Sequence, residues 1–203
     1  MNDCAGMTLD SFLDAVASRR PTPGGGAVAA ATGALASALG SMVVAYSIGR
    51  DDLAEHRADL DRASDRLARA RTLLLALGDE DARAYAWLSE LLALPKDNPR
   101  RRGEFSAALV AAIDVPGAVV AAAGDLLRLL DSLGPISNRH LRSDLAVCAV
   151  LLEATGRAAA WNVRINLPLV DDPDLRGQIA SGLDADLHRQ RDLAERIERF
   201  CAA

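Results

Sequence analysis

Aromatic residues make up only 3% of this 203-residue chain, although half of it is apolar. A core without rings must be built from Ala, Leu and Val, and such side chains favour close-packed helices over sheet. Lysine is nearly absent: Lys96 is the only one among 23 Lys and Arg residues. The basic residues are scattered and the formal net charge is −5, so nothing points to a nucleic-acid partner. Cysteine is scarce and odd in number. Cys4, Cys148 and Cys201 lie far apart with no CxxC or His-rich spacing, so neither a disulfide framework nor a metal site is expected. The N-terminus carries Asp3 and no basic n-region, which argues against a signal peptide. Together these features point to the cytoplasm.

Charge is missing altogether between residues 21 and 49. That stretch is long enough to span a bilayer. Its residues are mainly Gly, Ala, Ser and Thr, however, and Pro21, Pro23 and three glycines break its start. A helix buried on all sides, in a helical core or at a dimer interface, fits better than a membrane span. Sustained period-two alternation is also missing, so no strand is expected.

Helical periodicity is what remains. Leu9, Phe12, Leu13 and Val16 share one face of a first helix over 8–19. Residues 20–26, RPTPGGG, are not expected to be regular helix. An Ala-rich helix follows over 27–48. In 51–92, Leu53, Leu60, Leu67, Leu74 and Leu88 recur by sevens, with Asp81 filling the one gap. Ala63, Ala70, Leu77, Ala84 and Leu91 form the companion row; Gly78 can bend or split this helix, and Pro95 ends it. Residues 97–103 read as a polar connection. Residues 104–131 read as helix interrupted around 114–116, where Pro116 kinks or restarts it. A loop over 133–140 leads to a helix over 141–166. Asp172 and Pro173 then form an N-cap and first-turn pair for a last helix over 173–201. The expectation is an all-α fold: one compact bundle of about five to seven helices, with residues 1–203 as a single domain.

Three features stand out from this background. Backbone N–H groups freed by PTPGGG, just before a helix, can bind an anion or carboxylate; alternatively the glycines only let two chains pack closely. Asp81 occupies an apolar seam, which is costly for a carboxylate and raises its pKa into the range of a general acid or base. Tyr85 lies on the same face. Alternatively Gly78 breaks the helix and residues 79–81 cap a new one. Asn162 and Asn166 share one helix face, as ligands or as buried groups bonding to neighbouring backbone. Along the same stripe, Asp144 lies 18 residues before Asn162, roughly 27 Å. The two cannot touch one small group within a subunit. Either they hold different ends of a long ligand, or the site is shared between subunits.

Residues 9–43, LDSFLDAVASRRPTPGGGAVAAATGALASALGSMV, resemble the start of the formiminotransferase-cyclodeaminase / methenyltetrahydrofolate cyclohydrolase family. Three further blocks resemble it in the same order: DEDARAYAWLSELLALPK at 79–96, SNRHLRSDLAVCAVLL at 137–152 and AAAWNVRINLPLVDD at 158–172. The resemblance implies an all-helical homodimer acting on a tetrahydrofolate derivative, with no cofactor beyond that substrate. Family members expel ammonia from 5-formiminotetrahydrofolate to form 5,10-methenyltetrahydrofolate, or hydrolyse the methenyl compound to 10-formyltetrahydrofolate. The first reaction is the one expected here. A non-catalytic, folate-binding or scaffold dimer is the rival. Carried over block by block, the resemblance assigns Asp81, Asp144 and Lys96 to catalysis. It assigns Gly24, Gly25, Gly26, Asn138, Asn162 and Asn166 to substrate binding. The chain departs from the family pattern at Ala27, where Ser is common, at Arg50 in place of Lys, and at Ser137 in place of Gly.

Overall fold

The computed structural model describes residues 6–203, so the readings that involve Asp3 and Cys4 lie outside the described residues. Six α-helices and no strand are present among the described residues. α1 (Leu9–Ala17) starts at Thr8, whose hydroxyl accepts the Ser11 N–H. α2 (Gly25–Ala45) and α3 (Arg57–Ala93) follow, separated by a 3-10 turn at Asp51–His56. Then come α4 (Pro99–Leu133), α5 (Arg142–Asn166) and α6 (Pro173–Ala202).

α2 lies at the centre, packed along α3 on one side and α5 on the other. α4 backs α3 and α5, and α6 crosses α4 and α5. Glycines set the register. A Cβ on Gly26, Gly33 or Gly40 would meet Asp81, Leu74 or Leu67 respectively. Positions seven apart on α2 therefore face positions seven apart on an antiparallel α3. Gly25 and Gly33 likewise face Asn162 and Thr155, so α5 is also antiparallel to α2. The two apolar rows of α3 form the core floor: Leu60, Leu67 and Leu74 of one and Leu91 of the other are at most 1% exposed. They share one cluster with Leu127, Leu130, Leu145 and Leu152 from α4 and α5.

Four expectations need correction. The glycine segment is not wholly irregular, because Gly25 and Gly26 form the first turn of α2. Gly78 does not split α3; it is a contact residue, with its Cβ position 3.3 Å from the Ala30 Cβ. The polar run 97–103 is a connection only at its first two residues, because the rest lies in α4. Asn98 accepts from the N–H groups of Arg100 and Arg101 and starts α4 at Pro99, the same cap-and-proline pair found at Asp172–Pro173. From that first turn Arg101 reaches back to the Leu92 and Leu94 carbonyls and closes α3. Finally, α4 runs unbroken through Pro116, so residues 114–116 do not interrupt it.

Both α2 and the stretch Pro99–Ile136 have the length and apolarity to cross a bilayer. In this fold α2 is spent on the core: Ala29, Ala30, Ala36, Val43 and Val44 are at most 1% exposed.

Candidate functional site

The N-terminal end of α2 brings three of the sequence features together. Gly24 is its N-cap and makes no side-chain cap bond, so the first-turn N–H groups are left without a capping side chain. Asp81 of α3 rests directly on this turn. A Cβ on Gly26 would lie 1.9 Å from Asp81 Oδ2 and 2.3 Å from its carboxyl carbon, so only glycine leaves the carboxyl its seat. Asp81 is half-buried, and burial alone pushes its pKa above the usual carboxylate range. Among the described residues no cation and no hydrogen-bond donor pairs with it. The helix-cap alternative fails, because Asp81 sits well inside α3.

Asn162 completes this end from α5. Its Oδ1 lies 3.8 Å from the Cβ position of Gly25, and its carboxamide makes no hydrogen bond among the described residues. Asn166 is different. Its Nδ2 donates to the Ala112 carbonyl at 3.0 Å and to the Asn162 carbonyl at 3.0 Å. Both amide hydrogens are therefore spent within the protein.

Asn138 and Asp144 sit at the other end of α2. The Asn138 backbone N–H donates to Ser47 Oγ at 2.8 Å, and its Nδ2 donates to the Tyr46 carbonyl at 3.4 Å. Ser47 was not singled out in the sequence. It is fully buried and also donates to the Val43 carbonyl, so it fastens the 137–141 turn to the end of α2. Asp144 is half-buried in the first turn of α5. Burial, reinforced by the Asp144 charge, pushes the Cys148 thiol up to about 12, which makes it a poor nucleophile. The 21-residue α2 separates the two ends by about 30 Å.

Lys96 joins neither group. About 18 Å of α3 runs from Asp81 to its end at Ala93, and Lys96 follows in the exposed turn without an ion pair among the described residues. The three departures also have definite places. Ala27 is 2% exposed beside Gly78. Arg50 is held by Asp52 through two 2.9 Å bonds. Ser137 is 9% exposed and donates weakly to the Gly134 carbonyl.

Several large apolar side chains stay exposed on α1, α2 and α5. Leu9 and Leu13 of α1, Val28 and Leu35 of α2, and Val147, Val150, Trp161 and Ile165 of α5 are all exposed. A groove of about 430 Å³ runs between α1, α2 and α3, lined by Leu9, Leu13, Val28 and Leu35.

The sequence model of a family described as Formiminotransferase-cyclodeaminase matches residues 8–185. A methenyltetrahydrofolate cyclohydrolase of Methylorubrum extorquens is 32% identical, with 94% of this chain and 93% of that protein covered. A formimidoyltransferase-cyclodeaminase of Sus scrofa is 35% identical; 90% of this chain is covered, but only 35% of that longer protein. A crystal structure of formiminotetrahydrofolate cyclodeaminase from Thermotoga maritima superposes with a TM-score of 0.90 at 28% identity, covering 98% of this chain and 97% of the other.

Proposed function

Because the chain belongs to the formiminotransferase-cyclodeaminase family, we propose that it is a folate-dependent one-carbon enzyme of the cytoplasm, and within that family a formiminotetrahydrofolate cyclodeaminase. The observation that carries this reading is the seat of Asp81: an unpaired carboxyl with a raised pKa, resting on an uncapped helix N-terminus beside a free carboxamide.

That seat suits the chemistry. In 5-formiminotetrahydrofolate the N10 lone pair attacks the formimino carbon, and the C=N electron pair moves to the imino nitrogen, which takes up a proton. The carbon is then tetrahedral, between N5, N10 and an amino group. Asp81 as carboxylate takes the N10 proton, and as acid returns it to the amino nitrogen. Ammonia leaves with its bonding pair, and the N5 and N10 lone pairs stabilise the methenyl cation. A carboxylate also stabilises that cation. The N–H groups at the start of α2 and the Asn162 carboxamide can hold oxygen and nitrogen atoms of the ligand.

Methenyltetrahydrofolate hydrolysis is the second reading, favoured by the Methylorubrum extorquens relative that matches nearly end to end. Following methenyltetrahydrofolate absorbance together with ammonia separates the two. Cyclodeaminase activity gives rising absorbance with stoichiometric ammonia from the formimino substrate. Loss of methenyl absorbance with no ammonia chemistry would assign the cyclohydrolase reaction instead. Absence of turnover with both compounds would leave a folate-binding or scaffold dimer.

The same proposal includes a homodimer. A two-fold axis perpendicular to α2 would bury the exposed faces of α1, α2 and α5 against their copies. It would also bring the Asp81 end of one protomer to the Asn138 and Asp144 end of its partner, which no single protomer can do across about 30 Å. The dimer reading rests on the exposed apolar side chains of α1, α2 and α5 and on the separation of the two ends.

A further inference from the structure

Pro116 has no N–H, so the carbonyl four residues earlier, Ala112, loses its helical donor. Ala112 is 6% exposed, and water is a poor replacement there. Asn166 supplies the missing bond from another helix, and the second hydrogen of the same amide nitrogen goes to the Asn162 carbonyl. One nitrogen thus links the irregular turn of α4 to the last turn of α5. Asn162 lies one turn before Asn166, and its own carboxamide, without a hydrogen bond among the described residues, faces Gly25 at the start of α2. α5 ends immediately after Asn166, where the 3-10 turn Leu167–Leu169 begins. Buried Val163 and Leu167 share the apolar cluster with Ala112 and Ile113 at this end, and the Asn166 link adds the one directional bond there among the described residues.

We propose that Asn166 is a positioning residue rather than a ligand for substrate: it uses the carbonyl vacated by Pro116 to fix the height of Asn162 over the glycine turn. The proposal rests on the folate reading for its kinetic arm only. Its stability arm needs no substrate.

The test is a set of variants of the full chain: Asn166→Ala, Pro116→Ala, Asn162→Ala and the two doubles that combine Asn166→Ala with each of the others. Pro116→Ala restores an N–H that can take the Ala112 carbonyl. Asn166→Ala should lower the unfolding midpoint, and the double with Pro116→Ala should recover most of it. In the kinetic arm, Asn166→Ala should raise KM about tenfold with kcat within about threefold of wild type. That KM should not recover in the double with Pro116→Ala, because the carbonyl is satisfied but the tie to α5 is gone. In the Asn162→Ala background, Asn166→Ala should add almost nothing to KM. KM returning together with stability would reduce Asn166 to a purely structural group. Independent, multiplicative effects of Asn162→Ala and Asn166→Ala would make Asn166 a direct ligand. Either result overturns the proposal. Failure of wild type to turn over either folate would sink the folate reading, while the unfolding midpoints would still decide whether the Pro116–Asn166 link exists.

Discussion

Among the described residues Asp81 has no cation to neutralise it, and burial is what raises its pKa. Its folded-state pKa lies above the unfolded one, and the folded chain therefore binds the proton more tightly. The sign follows from linkage: the cost of the ionised carboxylate is absent below the ordinary carboxylate range and grows as pH rises to the raised value. Asp81→Asn should remove this slope. Unfolding curves from about pH 4 to about pH 8 should show the variant gaining on wild type as pH rises. A variant less stable than wild type at neutral pH would mean that the carboxylate has a partner. The same substitution should cut turnover at least about a hundredfold, the scale of losing an acid/base group. Near-wild-type turnover would take Asp81 off the catalytic list.

Gly26 belongs to the same argument. Its Cα hydrogen faces the Asp81 carboxyl, and a methyl group there would displace Oδ2 from 1.9 Å. Alanine is otherwise the better helix residue by about 0.5–1 kcal/mol. Gly26→Ala is expected to leave urea stability within about 1 kcal/mol of wild type, because a half-buried carboxyl can swing outward. Turnover should nevertheless fall at least about tenfold. Unchanged turnover in that variant would show that the seat is not needed.

At the scale of elements, α6 is keyed to the bundle by a side chain that sequence alone does not reveal. Gln190 is 3% exposed, and its Nε2 donates to the Val120 carbonyl of α4 at 2.8 Å. Its Oε1 has no hydrogen-bond partner and lies 1.9 Å from the Cβ position of Gly156 on α5. Gly156→Ala should therefore cost about 1–3 kcal/mol by overpacking. Adding Gln190→Ala should return part of it, a coupling of at least about 0.5 kcal/mol in a denaturant double-mutant cycle. Strict additivity would show that the contact is not tight.

Which elements were legible follows from similar details. The leucine sevens gave α3 because one face of a long helix leaves a regular trace. The oddity of Asp81 within them was legible for the same reason. The start of α4 was missed because DNPRRRG is polar throughout, although Asn98 and Pro99 carry the same signal that correctly placed α6. Pro116 signals an interruption in sequence, but α4 continues through it because the lost bond is made good by Asn166, 50 residues later. Ser47 and Gln190 left no trace. A serine at a helix end and a glutamine on an amphipathic helix look like surface residues until their tertiary partners are known.

At the scale of the whole molecule, the nominated residues fall into two groups at opposite ends of α2, a division already implied by the spacing of Asp144 and Asn162. Lys96 stands outside both. Leu9, Leu13, Val28, Leu35, Val147, Val150, Trp161 and Ile165 are all exposed, and the proposed dimer takes them out of water. Light scattering at micromolar concentration should give twice the 21.4 kDa chain mass. A monomer would remove the shared site.

The most direct measurement is complementation between protomers. Asp81→Asn and Asp144→Asn homodimers should each be nearly inactive in the methenyltetrahydrofolate and ammonia assay. A heterodimer of the two, isolated by separate tags, contains one site with both carboxylates intact and one with neither. It should recover about half of wild-type turnover per dimer. No recovery in the heterodimer, or an active Asp144→Asn homodimer, would contradict a folate site shared between the two ends of α2.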